Sequence, residues 1–330
     1  MTQATIAAGS PRAEAWRRWR RPDLSAFLAD PVSVAALNAT LILAFSSIFL
    51  ARSWVAGLWM APPHGARSAV DFAAFWASAK ATLSGHAAQA YDWRNLQPIL
   101  ERAGGGPVSG KLPVYYPPPF LLLTAPLGVF SYTTAFALWV AAGVAAFAAT
   151  VRLASRRPAV MIVGLAGMGV FASALVGQNG VYTAALLGAG LALADRRPLA
   201  AGVLLGLLCC KPQLALLVPV ALAAGGRWRT LAMAAATAVG LAVMAGVVLG
   251  WDVYPAFLAA GAHARQSFAG AGWLPWAKVQ TVYGDLRLAR VDVRLAVAGG
   301  ALAALAAAAV VAWLWREGAR LPLRVAAVAA

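Results

Sequence analysis

A small set of polar residues in an otherwise apolar sequence has the types needed for chemistry. Asp71 opens an aromatic-rich segment, while Gln178, Asn179, Lys211 and Gln213 interrupt apolar stretches at predicted turns. A carboxylate can accept a proton, and ammonium and amide groups can hold an anion such as a phosphate. Polar side chains within a membrane are costly and are therefore candidates for function. We predict one catalytic or carrier site built from these five residues.

Further cations are predicted on the same side of the membrane as Asp71, namely His263, Arg265 and Lys278. Together with Lys211 they are candidate phosphate ligands, because charged donors make the strongest hydrogen bonds to such anions. A simpler role is open for three of them: Lys211 would extend its ammonium to the membrane surface, and His263 and Arg265 would be solvated loop residues. The three histidines lack the spacing of metal ligands, so we expect no metal and no cofactor.

Simpler structural roles are also open for the other candidates. Asp71 is a favoured residue type for a helix N-cap, where its carboxylate would accept backbone N–H groups. The sequence Gln178-Asn179-Gly180 is typical of a tight turn. Several aromatic residues are typical anchors at a membrane surface, and the two tryptophans among them would alternatively stack on a sugar: Tyr115, Tyr116, Trp273 and Trp276.

The composition indicates an integral membrane protein. Of 330 residues, 62% are hydrophobic and 12% are charged, and several apolar stretches are long enough to cross a hydrocarbon core of about 30 Å. We therefore predict an all-α polytopic fold. The net charge of +16 does not indicate a nucleic-acid partner, because the basic residues lie in short clusters between apolar stretches. Such clusters are typical of topology signals and of contacts with membrane lipids.

The arginine clusters predict a consistent path through the membrane. By the positive-inside rule, five clusters are placed in the cytoplasm: Arg12/Arg17/Arg18/Arg20/Arg21, Arg152/Arg156/Arg157, Arg196/Arg197, Arg227/Arg229 and Arg316/Arg320/Arg324. The result is a basic cytoplasmic segment at residues 1–31 and a membrane domain at residues 32–330. Two long segments lie outside, at about residues 51–118 and 251–290. The last residues, Val325 to Ala330, resemble the start of another span, so we expect a C-terminal portion beyond them.

Unbroken spans are predicted at four places: Val32 to Leu50, Ser131 to Val151, Leu231 to Gly250 and Leu295 to Trp315. The apolar stretch Phe120 to Phe130 is too short for an ordinary span. We interpret it as a half-inserted or broken element before the second span, with two short tilted helices as the alternative. Between the second and third spans the chain rises from Ala159 to Val176, turns at Gly177-Gln178-Asn179-Gly180 and descends to Asp195.

Lys211 is predicted to lie in a recess below the outer surface of the membrane. The preceding rise, from Leu199 to Cys210, covers only about 18 Å at 1.5 Å per residue. Pro212 follows and interrupts the helix, since proline has no backbone N–H. An ammonium in lipid is costly, so this recess must be lined by protein.

The segment that begins at Asp71 has the spacing of an amphipathic helix. Its apolar side chains follow one helical face, with Ser78 and Lys80 off that face: Phe72, Phe75, Trp76, Ala79 and Leu83. We predict a helix that lies in the membrane interface, with its aromatic rings at the depth of the lipid headgroups and Asp71 at its N-terminal end.

An ordered series of short motifs resembles glycosyltransferase family 87, and in particular its polyprenyl-phosphate-mannose-dependent mannosyltransferases. The motifs extend from about Asp71 to the end of the chain: Asp71-Phe72-Ala73-Ala74-Phe75-Trp76-Ala77-Ser78-Ala79-Lys80, Gly85, Tyr91-Asp92, Tyr116-Pro117-Pro118-Pro119-Phe120, Gly177-Gln178-Asn179-Gly180 and Lys211-Pro212-Gln213. Each motif alone is weak, and their order and spacing carry the resemblance.

The resemblance implies a GT-C type bundle of membrane helices with outer-face loops and interfacial helices, in the inner (plasma) membrane. It implies transfer of a sugar, mannose, from a polyprenyl-phosphate carrier to a lipid or glycan acceptor on the periplasmic or extracellular side. Asp71 would be the catalytic base and the configuration at the sugar would invert. Substrate-binding candidates are Lys211, Gln178, Asn179, Gln213, Tyr116, His263 and Arg265. The alternative from the residues alone is a flippase or transporter of lipid-linked sugars, which would also have broken helices and polar turns.

Overall fold

The computed structural model describes residues 29–57, 67–68, 70–104, 106–109, 111–270, 276 and 279–329. The predicted segment 1–31 lies almost wholly outside these residues. In chain order the α-helices are α1 (Pro31–Val55), α2 (Asp71–Leu83), α3 (Trp93–Gly104), α4 (Pro118–Thr124), α5 (Tyr132–Ala154), α6 (Pro158–Leu165), α7 (Met168–Val176), α8 (Gly180–Leu193), α9 (Pro198–Gly206), α10 (Leu217–Ala224), α11 (Trp228–Leu249), α12 (Val253–Gly270), α13 (Val282–Leu288), α14 (Val293–Arg316) and α15 (Leu321–Ala329). Short 3-10 turns lie at Ala87–Tyr91, Ala125–Val129, Leu207–Cys210 and Pro212–Ala215. Two-residue strands, Arg67–Ser68 and Val108–Ser109, pair in parallel.

Among the described residues, four helices are long and apolar enough to cross a membrane, namely α1, α5, α11 and α14. They coincide with the four unbroken spans predicted from the sequence. The start of α1 is fixed by Asp30, whose carboxylate accepts the backbone N–H groups of Val32 at 3.2 Å and Ser33 at 3.1 Å, and Pro31 occupies the first turn. The prediction of an all-α polytopic membrane protein is confirmed.

The remaining apolar segments are shorter or bent helices. Helices α6 and α7 together correspond to the predicted rise from Ala159 to Val176, but they are bent by 49° against each other. The reason is Gly167, whose extended backbone (φ −58°, ψ 134°) interrupts the helix. Helix α4 and the turn Ala125–Val129 together have about the length, 18 Å, of half a membrane core. This short element agrees with the prediction of a broken segment before α5.

Helix α2 lies in the interior of the protein. Every residue from 72 to 79 is buried, and the helix packs against α4, α5 and the turn Ala125–Val129. A Cβ atom on Gly128 would lie 2.8 Å from the carbonyl carbon of Ala79, so only glycine permits this approach. The helix predicted from Asp71 is present, but its predicted division into an apolar and a solvated face was wrong, because Ser78 is buried as well. The ring of Phe72 contacts that of Phe136 at 5.3 Å between centroids.

Three of the five arginine clusters meet at one end of the bundle. Asp195, in the loop after α8, forms ion pairs with Arg227 at 2.8 Å and with Arg324 at 3.0 Å. Both guanidinium groups also lie over the ring of Trp315, the penultimate residue of α14. These contacts agree with the predicted grouping of the loops on one side of the membrane.

The two segments predicted outside the membrane also contact each other. Helix α12 packs against the turn Ala87–Tyr91, and the rings of Tyr91 and Phe257 lie 5.6 Å apart. The second of these segments contains the helices α12 and α13. The expected start of a further span at the C-terminus coincides with helix α15.

Candidate active site

The turn between α7 and α8 brings two amide side chains to the interior. Gly177 ends α7 with left-handed backbone angles (φ 66°, ψ 30°), and a Cβ atom on it would lie 2.5 Å from Cβ of Phe72. Glycine is therefore required both by the backbone angle and by the approach of α2. Asn179 occupies the N-cap position of α8 but makes no side-chain cap hydrogen bond. Oε1 of Gln178 accepts the backbone N–H of Asn179 at 2.9 Å within the turn, and both amide side chains also make contacts across the bundle.

Gln178 holds the carboxylate of Asp71. Its Nε2 donates a hydrogen bond to Oδ2 of Asp71 at 2.7 Å, across 107 residues of sequence. Asp71 is the first residue of α2, and the N-cap position belongs to Val70, with no side-chain cap hydrogen bond. The N-cap interpretation of Asp71 was therefore wrong. The helix N-terminus still stabilises a negative charge at this position.

Tyr116 joins the two amides. Its hydroxyl donates to Oε1 of Gln178 at 3.1 Å and lies 3.4 Å from Oδ1 of Asn179. Burial raises the pKa of Tyr116 to about 12, and the nearby charge of Asp71 adds to this effect. The hydroxyl therefore stays protonated at neutral pH and acts as a donor. The hydroxyl of Tyr91 donates to the backbone carbonyl of Tyr116 at 2.9 Å and helps to hold the segment in place.

Lys211 lies at the other end of this hydrogen-bonded chain. Its Nζ donates to Oδ1 of Asn179 at 3.0 Å, and Asn179 is only 3% exposed. Lys211 separates the 3-10 turns Leu207–Cys210 and Pro212–Ala215, so the helix break predicted at Pro212 is present. The ammonium points into the protein instead of extending to the membrane surface. Within the described residues no carboxylate lies within ion-pair distance of it.

The structure thus connects a carboxylate and an ammonium through two amides and a phenol. The order is Asp71, Gln178, Tyr116, Asn179 and Lys211, with hydrogen bonds between successive groups. Apart from the neighbours Gln178 and Asn179, these residues come from separate parts of the sequence. Their convergence agrees with one shared site. Such an arrangement can accept a proton at one end and hold an anion at the other.

Gln213 and His263, also predicted as site residues, do not belong to this hydrogen-bonded chain. Gln213 is exposed and lines a separate cavity of about 1050 Å³ with Thr281 and Tyr283. In the tight 3-10 turn, residues two positions apart point in different directions, so Gln213 cannot follow Lys211 into the site. His263 is exposed on α12. The side chain of Arg265 lies outside the described residues, as do Trp273 and Lys278. Trp276 packs against Tyr283 at 5.8 Å.

Two aromatic residues that the sequence analysis did not select support the turn. Nε1 of Trp139, in α5, donates to the backbone carbonyl of Gly177 at 2.9 Å. The hydroxyl of Tyr182 donates to the backbone carbonyl of Trp139 at 2.6 Å. A signal was present, because tryptophan and tyrosine inside an apolar helix need partners for their polar groups.

An elongated apolar cavity begins at Lys211 and Asn179. Its volume is about 600 Å³. Apart from these two residues, leucine and alanine side chains of α4, α5, α8, α9 and the turn Leu207–Cys210 provide most of the lining. The lining residues of α5 extend from Trp139 to Leu153, which corresponds to about 21 Å along the helix axis. The cavity therefore resembles a channel for a long apolar chain with a polar group at one end.

In the described part of the chain, no group of three or more His, Cys, Asp or Glu side chains is placed to hold a metal ion.

The sequence was also compared with known proteins. The model of glycosyltransferase family 87 matches residues 115–330, more than half of the chain. The matched range contains Tyr116, Gln178, Asn179 and Lys211 and begins after Asp71. No curated protein and no solved structure matches the chain.

Proposed function

Because this chain belongs to glycosyltransferase family 87 and is a membrane glycosyltransferase, we propose that its donor is mannose carried on polyprenyl phosphate. The acceptor is a hydroxyl group of a lipid or glycan. The observation that carries this proposal is the hydrogen-bonded chain from Asp71 to Lys211 with the apolar cavity at its cationic end.

The cavity supports a lipid-linked donor. Its Leu- and Ala-rich walls suit a polyprenyl chain, and burial of apolar surface stabilises such a complex by about 25 cal/mol per Å². Lys211 and Asn179, at the polar end, would contact the phosphate oxygens of the donor. An ammonium without a carboxylate partner is costly in a half-buried position, and a bound phosphate would offset that cost.

Asp71 is proposed as the base. It takes the proton of the acceptor hydroxyl, whose oxygen forms a bond to the anomeric carbon as the bond from that carbon to the phosphate oxygen breaks. The polyprenyl phosphate leaves with the electron pair. Gln178 holds Oδ2 of Asp71 at 2.7 Å, and we assign Oδ1 to the acceptor proton. A single displacement of this kind inverts the anomeric configuration.

We place the site on the non-cytoplasmic side of the inner (plasma) membrane, in a multi-pass protein. This orientation is supported by the contacts among the arginine-rich loops at Asp195, because such loops favour the cytoplasm. Asp71 and the amide groups of Gln178 and Asn179, at the opposite end, would then face lipid-linked sugars presented outside.

The test is a reconstitution. Purified protein in vesicles receives radiolabelled polyprenyl-phosphate mannose and a membrane lipid extract, and a labelled mannosylated product should appear, with none for the Asp71→Asn variant. Movement of the intact donor between leaflets without any covalent product would overturn the proposal in favour of a transporter.

A further inference from the structure

The end of the bundle opposite Asp71 carries more positive charge than its carboxylates neutralise. Seven arginines of the described chain belong to this end, with two carboxylates, Asp195 and Glu317, beside them: Arg196, Arg197, Arg227, Arg229, Arg316, Arg320 and Arg324. Asp195 uses one oxygen for Arg227 and the other for Arg324. Both of its oxygens are therefore engaged, and the pKa of its carboxyl lies below the ordinary value because Arg227, first, and Arg324 bind it.

Arg324 keeps unsatisfied donors even so. Its residue is 8% exposed, and within the described chain its Nε and Nη1 have no hydrogen-bond partner. A buried guanidinium with free N–H groups is costly. The local charge therefore favours an additional anion at this end.

A cleft beside this cluster is lined by two further arginines. It has a volume of about 450 Å³, and its walls are formed by Arg197, Pro198, Leu199, Ala200 and Arg229. Among the described residues, neither arginine makes an ion pair. The cleft thus has two guanidinium groups and no carboxylate, on a floor that is otherwise apolar.

Backbone N–H groups at the cleft are further hydrogen-bond donors for an anion. Helices α9 and α11 begin here, at Pro198 and Trp228, and neither start has a side-chain cap hydrogen bond. The N–H groups of a first helical turn have no partner within the helix. They therefore add positive potential to that of Arg197 and Arg229.

We propose that this cleft is a binding site for the phosphate of an anionic phospholipid. Arg197 and Arg229 bind the phosphate oxygens, and an acyl chain runs along the adjacent apolar surface, where Leu199 is 58% and Trp228 is 63% exposed. That apolar surface distinguishes a lipid from a soluble phosphate as the source of the anion. Basic pockets between membrane helices commonly bind such headgroups. The proposal does not depend on the transfer chemistry at Asp71.

The experiment uses the full chain in phosphatidylcholine vesicles that contain a small fraction of spin-labelled phosphatidylglycerol. Electron paramagnetic resonance measures the immobilised fraction of the labelled lipid and gives the selectivity over spin-labelled phosphatidylcholine. We expect clear selectivity for the anionic lipid, with about a fivefold loss for each arginine removed in Arg197→Gln and Arg229→Gln. The matched control is Arg152→Gln with Arg156→Gln, which removes the same charge from another predicted cytoplasmic cluster outside the cleft.

Equal losses for the cleft pair and the control pair would overturn the proposal, since the attraction would then be diffuse. Inorganic phosphate provides the second arm. If millimolar phosphate displaces the immobilised lipid from the wild-type protein, the cleft is a site for soluble anions and the lipid assignment is wrong. Retained immobilisation in phosphate, together with loss in the cleft variants alone, is the supporting result.

Discussion

Replacement of Asp71 by asparagine separates its two conceivable roles. The structure excludes a side-chain cap at this position, because the cap residue of α2 is Val70. Asparagine has nearly the same shape, and its carbonyl oxygen can still accept the hydrogen bond that Gln178 donates at 2.7 Å. The acceptor of this hydrogen bond is then uncharged, which lowers the free energy of unfolding by on the order of 1 kcal/mol. We therefore expect Asp71→Asn to fold, with a modest fall in Tm.

The effect on turnover should be far larger than the effect on stability. A positioned general base contributes about 10²- to 10⁴-fold to a rate, and the asparagine amide cannot take the proton of the acceptor hydroxyl. Single-turnover transfer from radiolabelled polyprenyl-phosphate mannose should therefore slow by at least about a hundredfold. Binding of the donor should change little, because its phosphate is assigned to Lys211 at the other end of the site.

The matched control is Asp92→Asn. Asp92 belongs to the same predicted outer segment, and it contacts the exposed Arg94 at 3.3 Å, outside the site. This variant should retain wild-type rates. Turnover of Asp71→Asn within tenfold of wild type, in protein with normal Tm, would refute the assignment of the base.

Four further predictions follow from the same geometry. Lys211→Gln should weaken donor binding by about 10- to 100-fold, the range for a lost charged hydrogen bond, whereas Lys211→Arg should retain part of the wild-type affinity. Equilibrium titration with the donor measures both. If Lys211→Gln binds the donor as tightly as wild type, the phosphate is bound by other residues. Gly177→Ala should destabilise the protein by at least about 1–3 kcal/mol, because its Cβ would overlap Phe72 at 2.5 Å, while Gly169→Ala, with nothing within 4 Å, should not; chemical denaturation compares them. Cysteines placed near Gly104 and Gly270 should react with an impermeant reagent in intact cells and those beside Arg196 and Arg229 should not; the opposite pattern would invert the orientation. Finally, the pKa of Asp195 is lowered in the folded protein, so its ion pairs stabilise the fold above the ordinary pKa of 3.8 and lose that effect as pH falls through the pKa of the folded state. Tm should therefore drop more steeply in acid for wild type than for Asp195→Asn. Parallel curves of Tm against pH for the two proteins would contradict this.

The long spans and the position of the site were predictable from hydropathy and from helix-breaking residues. The four unbroken spans needed only apolar length, and Pro212 marked the break at Lys211 because proline cannot continue the hydrogen bonding of a helix. These signals are local. They also put Asp71, Gln178 and Lys211 on one side, although they gave no distances.

The interior position of α2 was not predictable, because a buried polar side chain can satisfy its hydrogen bond within its own helix. Ser78 is fully buried, yet its hydroxyl donates to the backbone carbonyl of Ala74 at 2.7 Å. In the sequence, Ser78 had indicated a solvated face of the helix. The neighbours that cover α2, such as Phe120 and Tyr132, are distant in sequence, and no local pattern reveals them.

The place of Gln213 was missed for a related reason. The motif Lys211-Pro212-Gln213 suggested one cluster, but the 3-10 turn directs the first and third side chains to different cavities. In the same way, Trp139 supports the turn at Gly177 from the middle of a span. Its hydrogen bond depends on how α5 and α7 pack, which periodicity does not fix.

The two amides between Asp71 and Lys211 have an electrostatic consequence. A carboxylate and an ammonium in direct contact would largely cancel each other's field, and a proton could pass between them. Gln178 and Asn179 neither titrate nor let the charges meet. The two ends therefore form a fixed dipole, negative at Asp71 and positive at Lys211. In the proposed reaction, electron density moves from the acceptor oxygen toward the departing phosphate, that is, toward the positive pole. The field of these two charges therefore favours the direction of transfer.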